Sequence, residues 1–156
     1  MYWKSLVSGV TLLFIFCGTG QSQELITQLE AMGDYNQFAE ILQVSGLDEE
    51  LEDGGPYTVF APTDTAFEEL PDQILQSFLD SPEEMREILE FHIVQESMSI
   101  PDLENRSSVP SVQGAEIYIH SQQGQLLINE ATVIEPDIEV DNGIIHGIDT
   151  VLLPRH

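Results

Sequence analysis

The sequence predicts an α+β fold, with helices mainly in the N-terminal half and antiparallel strands after them. Apolar residues recur at helical spacing through the first half of the chain, for example at Leu25 and Leu29. From Ile117 onward they alternate with polar residues, as in strands with one buried face. The triplet Asp-Asn-Gly at residues 141–143 adds a hairpin signal, because Asn-Gly tolerates the positive φ of a tight turn.

Helix boundaries are predicted from capping residues and glycines. A first helix ends at Gly33, and a second begins at a capping box formed by Asp34 and Gln37 and ends at Gly46. The β-branched and aromatic residues 57–60 predict a short buried strand.

Two further helix starts follow this strand. Thr65 and Glu68 have the spacing of a capping box for a brief helix. Residues 81–84, Ser-Pro-Glu-Glu, give the strongest start, with a serine cap, a proline at the first helical position and a glutamate at the third. The strands of the second half are predicted around a turn at residues 122–124, and the last strand covers residues 144–153.

Residues 1–22 are predicted to be a secretory signal peptide. Lys4 precedes an apolar stretch at residues 6–17, and small residues follow, so cleavage is expected near Gly20 to Ser22. A retained membrane anchor is the alternative; lipidation of Cys17 is disfavoured because the bulky Phe16 precedes it. Residues 23–156 then form one exported domain, extracellular or periplasmic, with no membrane insertion of the mature chain.

Charge restricts the partners. The chain carries 28 acidic residues against four Lys and Arg, a formal net charge of −24. Nucleic acid is excluded as a partner, because phosphate binding needs basic side chains. Weak, diffuse cation binding is compatible with this acidity, which indicates either simple solubility or a saline habitat.

Two segments resemble known sequence motifs. Residues 57–67 read Y-T-V-F-A-P-T-D-T-A-F (the first box), and residues 141–154 read D-N-G-I-I-H-G-I-D-T-V-L-L-P (the second box). With F-H-I-V at residues 91–94 between them, they resemble the fasciclin domain family. The resemblance implies a β-wedge or sandwich of antiparallel strands with packed helices, and an extracellular adhesion module. Phe91 stands where the family usually has tyrosine, which weakens any expectation of integrin binding.

The polar and apolar side chains of the two boxes are predicted to be structural. Thr63, Asp64 and Thr65 offer acceptors to the free amides of the helix that begins in the first box. His146 lies between two isoleucines as a hydrogen-bonded core histidine. Asp149 is expected to cap a neighbouring backbone, and Gly147 to mark a close approach or a bulge. The predicted structural set is Phe60, Thr63, Asp64, Phe67, Asn142, Gly143, His146 and Asp149.

Catalytic motifs are not found in the sequence. It contains no H-E-x-x-H, no G-x-S-x-G and no glycine-rich phosphate loop after a strand, so no catalytic residue, metal or cofactor is assigned. The predicted function is non-catalytic binding of an extracellular or cell-envelope protein or polysaccharide. The predicted contact residues are Phe91, His92, Ile93, Val94 and Met98. The alternative is a small-ligand or metal-dependent enzyme in which His92 and His146 converge.

Overall fold

The computed structural model describes residues 21–140 and 143–153, with side chains from residue 25 onward except residues 52–53. The predicted signal peptide, apart from its last two residues, and the predicted role of Asn142 lie outside the described residues. Within them, none of the helices combines the length and the apolarity needed to cross a bilayer.

Helices dominate the first half of the described chain, as predicted. They are α1 (Gln21–Met32), α2 (Asn36–Ser45), α3 (Leu47–Asp53), α4 (Asp64–Glu68), α5 (Asp72–Asp80), α6 (Pro82–Phe91) and α7 (Ile100–Glu104). The strands are β1 (Tyr57–Pro62), β2 (Ile93–Val94), β3 (Ser108–Pro110), β4 (Glu116–Gln122), β5 (Gln125–Ile128), β6 (Ala131–Val140) and β7 (Gly143–Ile148).

The strands form one sheet in the order β2-β1-β7-β6-β5-β4-β3. Five of the six pairs between described strands are antiparallel, and Val140 pairs with Gly143 across the predicted hairpin. The β1–β7 pair is parallel, which the sequence did not predict. A parallel pair needs a long crossover, and here the crossover contains most of the domain. The pair brings the two boxes side by side.

Strands β1 and β7 separate two hydrophobic cores. On one face, Val59 and Ile145 pack with residues of helices α1 to α6. On the other, Phe60 and Ile148 pack with residues of β4 and β5. Because successive side chains of a strand point to opposite faces, a strand that contributes to both cores is buried on both sides.

Helix caps agree with the sequence at some termini and differ at others. Ser81 caps α6 as predicted, since its Oγ accepts a hydrogen bond from the Glu84 amide at 3.3 Å. The predicted cap at Thr65 is wrong: Thr63 caps α4, because Thr63 is still extended while Thr65 is already helical. The predicted cap at Asp34 is also wrong, because Tyr35 occupies the N-cap position of α2.

Candidate functional site

The strands of the two boxes, β1 and β7, are neighbours in the sheet, second and third in the order of its described strands. Register pairs every residue of β1 with one of β7, from Tyr57 opposite Gly143 to Pro62 opposite Ile148. Phe60 and Phe67 of the first box are buried in the second and first core, respectively. Residues far apart in sequence are therefore adjacent, and each box fixes the position of the other.

Asp64 of the first box caps α2 and not, as predicted, the helix α4 that it begins. Its Oδ1 accepts a hydrogen bond from the Gln37 amide at 2.8 Å, and its Oδ2 accepts one from Asn36 Nδ2 at 3.4 Å. The Asp64 amide donates to the carbonyl of Asp34 at 2.8 Å. The carboxylate thus satisfies an amide at the start of α2 and complements the positive end of that helix. Thr63 meanwhile caps α4, with its Oγ1 3.1 Å from the Ala66 amide.

Asp149 of the second box forms hydrogen bonds with Thr132, near the start of β6. Its Oδ1 accepts a hydrogen bond from the Thr132 amide at 2.9 Å, and its own amide donates to the Thr132 carbonyl at 3.2 Å. This pair closes the open end of the β6–β7 ladder. The side chain therefore makes the backbone contact that its place near a strand end suggests.

His146 is buried in the second core and joins three chain segments. Its Nδ1 accepts a hydrogen bond from the Asp137 amide at 3.1 Å, so Nε2 carries the proton and donates to the Met98 carbonyl at 2.8 Å. Its ring stacks on Phe60 with the centroids 5.8 Å apart. Asp137 lies in the β6 bulge with a φ of 55°, so His146 also supports an unfavourable backbone conformation.

His92 is equally buried at the end of α6. Its Nε2 accepts a hydrogen bond from the Leu152 amide at 2.9 Å, and its Nδ1 donates to the Ile88 carbonyl at 2.7 Å. The ring lies against Phe38, with the centroids 5.9 Å apart. His92 thereby connects the end of α6 to the segment that follows β7.

Both imidazoles are committed to backbone groups. Each has one nitrogen that accepts from an amide and one that donates to a carbonyl, so neither offers a free lone pair to a metal or a substrate. Among the described residues, no three His, Cys, Asp or Glu side chains converge closely enough to hold a metal ion. The sequence alternative, in which His92 and His146 converge as a catalytic pair, gains no support from this geometry.

Burial holds both histidines neutral. It lowers the pKa of His92 from 6.5 to about 4, opposed only in part by the hydrogen bond to Ile88. Burial also lowers the pKa of His146, opposed by the hydrogen bond to Met98 and by the charge of Asp137. Protonating either ring would place a second proton on the nitrogen that now accepts from an amide.

We therefore expect the protein to lose stability as the pH falls from about 6.5 to about 4. The unfolded chain takes up protons on these histidines near pH 6.5, while folded His92 takes one up only near pH 4. The neutral, buried histidines make their full contribution to the free energy of unfolding above pH 6.5. This contribution is lost as the pH falls through that window, and for His92 it amounts to about 3 kcal/mol. Urea unfolding across the window, in about 1 M salt to screen carboxylate repulsion, measures it.

A variant of the second buried histidine assigns the pH effect. His146→Gln should flatten the slope of stability against pH, because burial lowers the pKa of His146 in the folded protein. A free energy of unfolding that stays constant or rises between pH 6.5 and pH 4.5 would contradict the prediction.

The five residues predicted to contact a partner are buried. Exposure is at most 3% for Phe91, His92, Ile93, Val94 and Met98. Two backbone hydrogen bonds also hold Met98 in place. Its amide donates to Thr58 Oγ1 at 2.8 Å, and its carbonyl accepts from His146. This prediction needs correction: the side chains of His92, Ile93, Val94 and Met98 fill the interior, and only Phe91, itself nearly buried, also lines a surface cavity.

Sequence reasoning missed a surface trough made of three adjoining cavities. The cavities measure about 440, 370 and 420 Å³, and neighbouring cavities share lining residues. Tyr118, His120 and Asn129 line the first, Leu70 and Leu153 the second, and Thr65 and Ile134 the third. The sequence feature that could have predicted part of this trough is the set of outward-facing positions of an alternating strand, such as Tyr118 on β4.

The trough has an apolar and an acidic character. Tyr118 is 60% exposed and Ile134 is 47% exposed, two of the few large apolar side chains that face solvent in the described residues. Glu116 lies at one end, Glu69 in the middle and Asp34 at the other end. Of the described residues that line it, none is Lys or Arg. The trough can therefore bury an apolar group beside a positive charge.

Comparison with protein families gives a match over most of the chain. The model of the Fasciclin domain matches residues 33–154. The uncharacterized protein sll1735 of Synechocystis is 46% identical over 66% of this chain and 77% of its own length. The transforming growth factor-beta-induced protein ig-h3 of Sus scrofa is 33% identical over 82% of this chain, which corresponds to 19% of that protein.

A further relative and a solved structure extend the comparison. The cell surface glycolipoprotein MPB83 of Mycobacterium bovis is 30% identical over 65% of this chain and 45% of its own length. A FAS1 domain pair from the insect cell adhesion molecule Fasciclin I superposes with a TM-score of 0.63, at 21% identity, over 78% of this chain and 46% of that chain. At this identity the superposition establishes the fold alone, in agreement with the predicted α+β wedge.

Proposed function

Because the chain belongs to the fasciclin domain family, we propose that it is an exported, non-catalytic adhesion or interaction module. It binds an extracellular or cell-envelope protein or polysaccharide through its outer surface. One relative is a cell surface protein, and the solved neighbour comes from a cell adhesion molecule, which is consistent with this role. The observation that carries the proposal is the trough with the exposed ring of Tyr118 at one end.

The interior of the domain favours a rigid scaffold. Buried His92 and His146 tie distant segments together by their ring nitrogens, and Asp64 and Asp149 use carboxylate oxygens on backbone amides. A scaffold whose polar groups are paired in this way holds surface residues in fixed positions, which lowers the ordering cost of binding. The recognition chemistry then lies at the exposed residues of the trough.

Retention of the purified protein on immobilised envelope or matrix material from its source tests the proposal. The wild type should be retained, and Tyr118→Ala should lose most of the retention, because exposed aromatic side chains dominate binding energy at such surfaces. Leu79→Ala is the matched control, since Leu79 is 65% exposed on α5 and does not line the trough.

Two results would contradict this function. One is the absence of retention at every salt concentration. The other is turnover of a defined compound that disappears in a folded variant of His92 or His146.

A further inference from the structure

Residues 150–153 border the middle of the trough, with Val151 and Leu152 buried and Leu153 half-buried. These residues form neither helix nor strand. The Leu152 amide points inward and bonds His92. In the described part of the chain, the backbone groups of Val151 and Leu153 bond to no other protein group. Of these two residues Leu153 is the more exposed, and its backbone can pair with the main chain of an extended segment, as in peptide recognition by strand addition.

The apolar positions of the trough suit side chains of an extended segment. Leu70 and Leu153 line the middle, while the exposed side chains of Tyr118 and Ile134 stand toward opposite ends. A surface with this distribution can receive apolar side chains at intervals along a chain, instead of one compact ligand. The shape favours an elongated occupant.

Charge selects the chemistry of that occupant. Glu116, Glu69 and Asp34 line successive parts of the trough, and the lining lacks Lys and Arg among the described residues. Arg86 and Arg106, elsewhere on the surface, are already paired with Glu50, Glu90 and Glu96. With a formal net charge of −24, the chain repels acidic polysaccharides and attracts cationic groups.

We propose that the trough binds an extended segment of a partner protein in which Arg or Lys side chains alternate with apolar ones. The inference rests on the proposed function and names its partner as a basic polypeptide. The segment lies along residues 150–153, places apolar side chains beside Leu70 and Leu153, and sets a guanidinium over the ring of Tyr118. Its other cations lie beside Glu69 and Asp34.

The test uses the purified protein and an immobilised peptide that alternates Arg and Val. The wild type should bind, with an affinity that falls as salt is added. Tyr118→Ala and Glu69→Gln should each weaken binding about tenfold, the scale of one lost interface contact. The matched controls Leu79→Ala and Glu40→Gln, which change exposed residues outside the trough, should bind like the wild type.

Reference probes separate a specific site from general attraction to an acidic protein. A peptide with Glu in place of Arg should not bind, and neither should dextran or alginate. Equal weakening by Glu69→Gln and Glu40→Gln would overturn the proposal, because it would show unspecific charge attraction. Binding of dextran or alginate that depends on Tyr118 would overturn it in favour of a polysaccharide.

The outcome for the peptide is distinguishable from the outcome for adhesion. If the peptide fails to bind while retention on envelope material still depends on Tyr118, the basic partner is wrong and the adhesion role stands. If retention itself is absent at all salt concentrations, the proposed function fails as well. Melting curves of each variant check that the fold is intact.

Discussion

Gly143→Ala is expected to lower the free energy of unfolding by about 4 kcal/mol or more, or to prevent folding. A Cβ at this position would lie 1.8 Å from the carbonyl oxygen of Tyr57, its partner across the parallel β1–β7 pair. The obstacle is backbone, so no rotamer change relieves it. The φ of +156° adds strain for any residue with a side chain.

Gly124→Ala is the matched control for Gly143→Ala. Gly124 also has a positive φ, +82°, but a Cβ there meets nothing within 4 Å. It should cost about 1–2 kcal/mol from backbone strain alone. Urea unfolding of both variants measures the difference, which reports the close approach of the two boxes. Equal losses would contradict the parallel register.

Local features of the fold were predictable from sequence because they depend on neighbouring residues. The Ser81 cap, the Gly46 helix end and the hairpin between Val140 and Gly143 are each set within a few residues. The missed start of α7 also had a local signal, since Ser99 and Asp102 form a capping box. The prediction at Thr65 was wrong because Thr63 and Thr65 are both of a residue type that caps helices, and residue type alone does not decide between them.

Long-range features were not predictable because their partners lie far away in the chain. The amide at the start of α2 is capped by Asp64, 27 residues from Gln37, in place of the adjacent Asp34. One of the two hydrogen bonds of the His92 ring is formed with Leu152, which lies 60 residues later in the chain. The burial of Ile93 and Val94 was not predictable either, because a short apolar run has no periodicity that distinguishes a surface patch from a buried strand.

Gly147 is the second position where an added methyl group is expected to have a large effect. A Cβ there would lie 2.0 Å from the hydroxyl oxygen of Tyr35 and 3.1 Å from the Cβ of Glu135. Tyr35 is fully buried, and its hydroxyl donates to Glu135 Oε1 at 2.9 Å. Burial and the Glu135 carboxylate raise the pKa of Tyr35, so this hydroxyl remains a donor. Gly147→Ala should therefore displace the ring and cost about 3 kcal/mol.

A double-mutant cycle tests whether the Tyr35 hydroxyl is the obstacle. Tyr35→Phe alone should cost about 1 kcal/mol for the lost hydrogen bond. The double variant Tyr35→Phe with Gly147→Ala should lose about 1–2 kcal/mol less free energy of unfolding than the sum of the two single variants, because the clashing oxygen is gone. Tyr57→Phe with Gly147→Ala is the control and should be additive, since Tyr57 pairs with Gly143 at the other end of β7. Additivity in the Tyr35 cycle would show that the hydroxyl oxygen of Tyr35 is not the obstacle.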